Sequence, residues 1–290
     1  MRQTVGDKIF SCINIIFLTI FALLCLIPFI NIIAVSLSDN AAIISGKVFL
    51  WPIGMNVTAY KTVFQDLTMI RSFGFTVLLT VLYTVVTMTM TILCAYPLAN
   101  KKLKGRTAFL LIITFTMYFS GGTIPHYLLV SGMNMLNTIW ALILPGAINT
   151  FNMIVMKSFF SSIPAGLEES ARIDGAGHFR ILVSIVLPLS LPIIATLSLF
   201  YAVGRWNGFS DALFYINDTK MYPLQLKLRQ LISLNNIDQM LTDLNEERQL
   251  VIPETIKSAS IMFATAPILL IYPWLQKYFV KGMMVGSIKG

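Results

Sequence analysis

The chain has 290 residues, a formal net charge of +8, 56% hydrophobic residues and only 12% charged ones, with a mean hydropathy of +0.77. A water-soluble domain carries about 25% charged residues, so that class is excluded. The basic excess does not mark a nucleic-acid binder either, because the charges lie in short segments beside long apolar runs.

Six apolar blocks exceed the ~18 residues that cross a bilayer. They cover residues 10–37, 73–99, 107–130, 138–160, 181–203 and 256–278. The prediction is an all-α polytopic membrane protein with six transmembrane helices, a single transmembrane domain over 1–290. The first block is longer than a signal-peptide core and no small-x-small site follows it. Bulky Leu24 before Cys25 argues against a lipoprotein site, so the block reads as the first span. Cys12, Cys25 and Cys94 sit inside apolar blocks without metal or disulfide spacing and read as small buried hydrophobes.

Residues 38–71 carry Trp51-Pro52 and then Tyr60, Val63 and Phe64 at helical spacing. A short interfacial helix with aromatics at headgroup level fits. After the second block come Lys101, Lys102, Lys104 and Arg106. The third and fourth blocks hold Tyr118, Ser120, Asn149, Thr150 and Asn152, and His126 reads as a helix-packing hydrogen bonder. Pro145 in the fourth block, and Pro188 and Pro192 in the fifth, predict kinks. The fifth block ends at Tyr201 and the group Arg205-Trp206-Asn207. Amides and aromatics of this kind suit a hydroxyl-rich ligand. Tyr118, Asn149, Asn152, Tyr201, Trp206 and Asn207 are therefore candidate substrate-path residues; interhelical hydrogen bonding explains any single one as well.

Between the fourth and fifth blocks, residues 161–180 form the one polar, charge-dense, helix-competent segment between apolar runs. Pro164 fits a first helical turn, Glu168 and Glu169 favour the positive helix end, and Glu168 and Arg172 are spaced i, i+4. Gly175 or Gly177 can end the helix in the left-handed conformation, with His178 in the loop beyond. The face Leu167–Ala171–Asp174 suits a partner's groove. A helix this short is marginal in water, so docking would hold it. Residues 205–255 form a second long loop, with an acidic run at 238–247, which reads either as a docking surface for an extracytoplasmic partner or as a solvated cover.

Orientation follows from the loops. The termini, residues 100–106 and residues 161–180 with Lys157 hold twelve basic and four acidic residues; the other side holds nine of each. The positive-inside rule makes the basic side, with both termini, cytoplasmic. The chain has no P-loop and no hydrolase or metalloprotease motif, so no catalytic or metal site is expected. Its spans are nearly free of acids and bases, which argues against a proton-driven carrier.

Glu169-Ser170-Ala171, then Asp174-Gly175-Ala176, then Leu187-Pro188-Leu189 resemble the cytoplasmic coupling loop, or EAA loop, of ABC-importer permeases. Phe119-Ser120-Gly121-Gly122-Thr123-Ile124-Pro125, Trp206-Asn207 and the closing run 278–290 are similar to the second permease of maltose-type carbohydrate importers, in the branch associated with complex oligosaccharides. Ser170 departs from the usual alanine. The resemblance implies the ABC type I importer permease fold and an ATP-driven, binding-protein-dependent importer in a bacterial cytoplasmic membrane. Its partners would be a second permease subunit, two ATPase subunits and an extracytoplasmic solute-binding protein. ATP and Mg would be bound by the ATPases, so this chain would carry no cofactor. Glu168, Glu169, Ser170, Ala171, Arg172, Asp174, Gly175 and Ala176 would couple to an ATPase. The cytoplasmic tail 279–290, through Met284, Val285, Gly286, Ser287, Ile288, Lys289 and Gly290, would reach between the ATPases. Importers of peptides or amino acids are the alternative within this class; a secondary carrier or an ATPase-recruiting scaffold is the alternative outside it.

Overall fold

The computed structural model describes residues 4–242 and 253–287, and every regular element among them is helical. Two compact units emerge: Met1–Ile70 with Lys227–Pro267, and Arg71–Leu226 with Ile268–Gly290.

In the first unit, α1 (Val5–Ser36) opens with a reciprocal cap: Asp7 N–H donates to Thr4 Oγ1 at 3.3 Å and Thr4 N–H to Asp7 Oδ2 at 2.8 Å. None of its most apolar stretch is buried within the chain, as expected of a helix whose solvent is lipid. Its polar residues tie down the segment that follows. Asn31 Nδ2 donates to the Phe49 carbonyl at 2.7 Å, and the Ser36 and Tyr60 hydroxyls bond at 2.8 Å. Ser38 Oγ accepts from Ile53 N–H at 3.0 Å. After α2 (Asn40–Ile44), the expected interfacial helix is present as α3 (Thr58–Gln65); it buries Ala59 and Val63 and sets Phe64 edge-on to Phe263.

The second unit is organised along α4 (Leu67–Ala99). Beside it lie α5 (Arg106–Tyr118), α6 (Thr123–Gly132), a 3-10 stretch (Ile139–Gly146), α7 (Thr150–Phe160) and α8 (Ala165–Ile173). Then come α9 (His178–Ile181), a π turn (Leu182–Val186), α10 (Leu187–Leu189), α11 (Leu191–Asn207) and α12 (Ser210–Tyr215). Helices α13 (Leu224–Thr242) and α14 (Glu254–Ser287) each contribute to both units. One buried cluster centres on Ala95, Met153, Met156 and Leu197, and a second on Leu79, Ile143, Ala212 and Ile216.

Helices α1, α4 and α14 are long and apolar enough to cross a membrane alone; the other three blocks are bent pairs, giving up to six spans. The fifth block bends by 83° between His178–Leu189 and Leu191–Asn207. Pro188 removes one ladder N–H, the helix widens into the π turn just before it, and Pro192 restarts a helix at its first turn. The fourth bends by 54° after Pro145 and Gly146. These bends match the prolines. The third block differs from the sequence expectation of one continuous helix, because α5 and α6 meet at 114°. Gly122 sits at φ 85°, ψ 171°, a conformation open to glycine, and Pro125 has no N–H to return to Gly121.

Two other expectations change. Residues 205–255 are not a structureless loop: Arg205–Asn207 close α11, and α12 and α13 fill much of the remainder. The run 279–290, expected as a tail beyond the sixth span, is helical as far as it is described, since α14 continues through Met284, Val285 and Gly286 to Ser287. Ile288, Lys289 and Gly290 lie outside the described residues, as do residues 243–252, which include the second half of the acidic run.

Candidate functional site

Helix α8 is built as its sequence demands. Pro164 is its N-cap residue, one position earlier than expected. The C-terminal end is a complete Schellman motif: Ala176 N–H bonds the Ala171 carbonyl at 2.9 Å, and Gly175 N–H bonds Arg172 at 3.0 Å. Gly175 supplies the left-handed residue at φ 79°. Of the two glycines considered, Gly175 therefore ends the helix, and Gly177 N-caps the next one, which starts at His178. The Glu168–Arg172 pair forms, at 3.6 Å. Its helical spacing makes it worth about 0.3–0.5 kcal/mol at a surface.

The faces of α8 are distributed differently from the sequence reading. Ala171 and Ala176 pack against the chain's own methionine-rich core, so Ala171 is not free to fill a partner's groove. The exposed apolar groups on this side are Leu167, Ile173 and, beyond the turn, Phe179. Glu169, Ser170, Asp174 and Gly175 are exposed, and Glu169 lies 3.9 Å from Lys102 across solvent. A cleft of about 800 Å³ opens between α8 and the 100–103 turn, lined by Tyr96, Lys102, Phe160, Glu168, Glu169 and Arg172. The arrangement is a short charged helix, fixed at its small-residue face and open at its charged and apolar faces.

The candidate path residues separate into two sets. Asn152, Tyr201 and Trp206 are buried in the second unit. The Tyr201 and Thr91 hydroxyls bond at 2.7 Å, and Trp206 meets Phe73 edge-on at 5.8 Å. Asn207 is exposed and donates to the Val203 carbonyl at 3.0 Å. Tyr118 and Asn149 face outward at the breaks of the third and fourth blocks; Asn149 Oδ1 caps α7 by accepting from Asn152 N–H. His126 bonds the Gly122 carbonyl of its own helix through Nδ1 at 2.8 Å, so it does not bridge to a neighbouring helix.

The feature that sequence reasoning missed is a buried ionic node. The Arg205 side chain, only 5% exposed, grips Asp211 with both terminal nitrogens, one of them at 2.9 Å. Nη1 also donates to the Leu142 carbonyl and Nη2 to Gly208, both at 3.2 Å. The guanidinium lies 5.6 Å from the Tyr83 ring centroid, and Tyr83 Oη donates to the Gly146 carbonyl at 3.1 Å. The carbonyls freed by the fourth-block break are thus held by side chains. The signal was present: an arginine closing an apolar run with an aspartate six residues on. In the adjoining α12, burial pushes the Tyr215 hydroxyl up from its ordinary value, and the Asp211 carboxylate adds to the effect. Among the described residues no group of three or more His, Cys, Asp or Glu could hold a metal ion.

The family described as binding-protein-dependent transport system inner membrane component matches residues 88–285. The chain is 46% identical to Protein LplC of Bacillus subtilis (strain 168), over 100% of this chain and 98% of that one. It is 44% identical to the polygalacturonan/rhamnogalacturonan transport system permease protein YtcP of the same organism, over 98% and 99% of the two chains. A chain in the crystal structure of a bacterial ABC transporter involved in the import of the acidic polysaccharide alginate superposes with a TM-score of 0.86, at 34% identity, covering 96% of this chain and 99% of that one.

Proposed function

Because the chain belongs to the family of binding-protein-dependent transport system inner membrane components, we propose that it is one permease subunit of an ATP-driven oligosaccharide importer. In this reading it pairs with a second permease, two ATPase subunits dock on its cytoplasmic side, and an extracytoplasmic binding protein delivers ligand. The membrane is the bacterial cytoplasmic membrane, with both termini inside, as the charge asymmetry of the loops favours. ATP and Mg belong to the ATPases. The likeness to a permease named for polygalacturonan/rhamnogalacturonan transport and to a chain of the alginate importer supports uronate-rich oligosaccharides as the first ligand class to test.

One observation carries the coupling role: α8 is rigidly ended and anchored by Ala171 and Ala176, yet presents Glu169, Ser170, Asp174, Leu167 and Ile173 outward. A helix fixed on one side and open on the other passes a push from a docked ATPase into the π turn and bent fifth span that follow it, a rigid-body route to alternating access. The remaining α8 residues serve that geometry: Glu168 and Arg172 hold each other, and Gly175 holds the end. The tail residues Met284–Ser287, as the end of α14, and Ile288, Lys289 and Gly290 beyond it are assigned to ATPase contact.

The test is Glu169→Lys in the assembled transporter in proteoliposomes. Reversing a charge at a docking interface is expected to lower ATP-driven uptake roughly tenfold or more while insertion is retained. Uptake and binding-protein-stimulated ATP hydrolysis at the wild-type level would show Glu169 to be a solvated helix residue.

A further inference from the structure

Helix α5 is too short to cross a bilayer. Its 13 residues span about 20 Å, against ~30 Å of hydrocarbon. It starts at Arg106, next to Lys101, Lys102 and Lys104, which belong at headgroup level. The break at 119–122 therefore falls inside the hydrocarbon layer. Irregular backbone at that depth persists only where it is buried in protein or faces a water-filled cavity, because lipid offers no hydrogen bonds. Here residues 119–122 are all exposed, and among the described residues no hydrogen bond reaches the N–H or C=O of Gly121.

The side chains around the break decide what faces it. Phe115 and Phe119 stack at 4.2 Å, and Tyr118 and Phe119 are 75% and 65% exposed. The Thr116 and Thr150 hydroxyls stand 3.5 Å apart, which brings Asn149 alongside; nothing among the described residues accepts from its Nδ2. Helix–helix interfaces in membranes are built from small residues that let backbones approach, not from protruding aromatics. Ser120 Oγ accepts from Gly122 N–H at 3.2 Å and Asn149 Oδ1 from Asn152 N–H, but lipid would leave the Ser120 hydroxyl proton, the Gly121 backbone groups and Asn149 Nδ2 without partners. Aromatic faces beside free amide and hydroxyl groups match a sugar instead. The C–H face of a pyranose ring is slightly positive and suits the negative face of an aromatic ring, while its hydroxyls satisfy the amide.

We propose that the break between α5 and α6 lines the aqueous translocation pathway and forms a saccharide subsite, with Phe119 as the stacking face and Ser120 and Asn149 as hydroxyl partners. No lysine or arginine occurs in the sequence between Arg106 and Lys157, and His126 is engaged with the Gly122 carbonyl, so the subsite reads the ring and its hydroxyls, not a carboxylate. The identity of the ligand rests on the importer reading above; the water-filled pathway does not.

The experiment uses the complete transporter in proteoliposomes, in a background with Cys12, Cys25 and Cys94 replaced. A charged, membrane-impermeant methanethiosulfonate reagent is applied to Ser120→Cys and, as a buried control, to Leu142→Cys. Position 120 is expected to react, at a rate that changes when ATP and vanadate trap the ATPases, while position 142 does not. An unreactive position 120 in both states would show the break to be sealed by the partner permease and would overturn the proposal. Phe119→Ala is expected to raise KM for a galacturonate oligomer about fivefold, the loss of one stacking contact. Reaction at 120 with no change in KM would keep the pathway and overturn the subsite. A transporter that fails to carry galacturonate would count against the ligand class alone, with the labelling still deciding the pathway.

Discussion

The fourth and third blocks are both broken, but only before the fourth break do side chains of the chain itself take up backbone carbonyls. At the fourth, Arg205 takes the Leu142 carbonyl, Tyr83 takes the Gly146 carbonyl, and residues 141–143 are buried. At the third, residues 119–122 are exposed and Gly121 has no partner among the described residues. The chemistry of freed backbone is the same in both places, and so is its cost in a low-dielectric layer. The difference teaches that the chain supplies donors of its own to the carbonyls Leu142 and Gly146 of the fourth block, while Gly121 in the third needs something outside the chain to satisfy it.

The comparison breaks most readily at Arg205. Arg205→Ala leaves Asp211 without its cation and two carbonyls without donors. Removing one partner of a buried pair costs about 3–5 kcal/mol. The expected outcome is loss of most folded permease, read by size-exclusion profile and thermal unfolding in detergent. Arg205→Lys keeps the charge but cannot reproduce the fork, and should fall between wild type and alanine. A wild-type unfolding temperature for Arg205→Ala would show that the fourth break does not depend on the node.

A smaller effect is expected at Gly146. A Cβ placed there would meet Tyr83 Oη at 2.8 Å, closer than real Cβ atoms come, and the tyrosine is fixed on its other side by the Arg205 guanidinium. Gly146→Ala should cost about 1–3 kcal/mol through overpacking. Combining it with Tyr83→Phe, which removes the obstructing oxygen, should recover part of that loss. Thermal unfolding of the single and double variants measures the recovery; none at all would remove the close approach as the cause.

How much of this was legible in the sequence differs by kind of signal. Composition and block length report the solvent, so the membrane class and the approximate spans were readable. Local rules also worked: the i, i+4 pair Glu168–Arg172, the left-handed Gly175, and kinks at Pro145, Pro188 and Pro192 all appear. The break of the third block was missed because the apolar run passes through Ser120-Gly121-Gly122 with little drop in hydropathy, and hydropathy does not register φ. The Arg205 node was missed because Leu142, which Arg205 bonds, and Gly146, which Tyr83 bonds, each lie 63 residues from their donor and contribute only carbonyls, which no side-chain pattern encodes. Ala171 was assigned outward because one helix face cannot be told from another until the core beneath it is known.

The smallest effect is expected at Gly121, and it separates the two breaks most cleanly. Unlike Gly122, whose φ of 85° restricts it to glycine, Gly121 is not in the left-handed region. A Cβ there would make only an ordinary contact with the Pro125 ring, at 3.8 Å. Among the described residues nothing crowds Gly121 as Tyr83 crowds Gly146. Gly121→Ala should therefore change stability by no more than about 0.5 kcal/mol, the range of surface substitutions. If the third break faces a pathway, the added methyl projects into that space, and uptake should fall while the unfolding temperature holds. If the break is packed against a partner permease, the same methyl should weaken the permease pair instead, which co-purification of the two subunits would register. An equal stability loss for Gly121→Ala and Gly146→Ala in the isolated chain would erase the distinction between the two breaks.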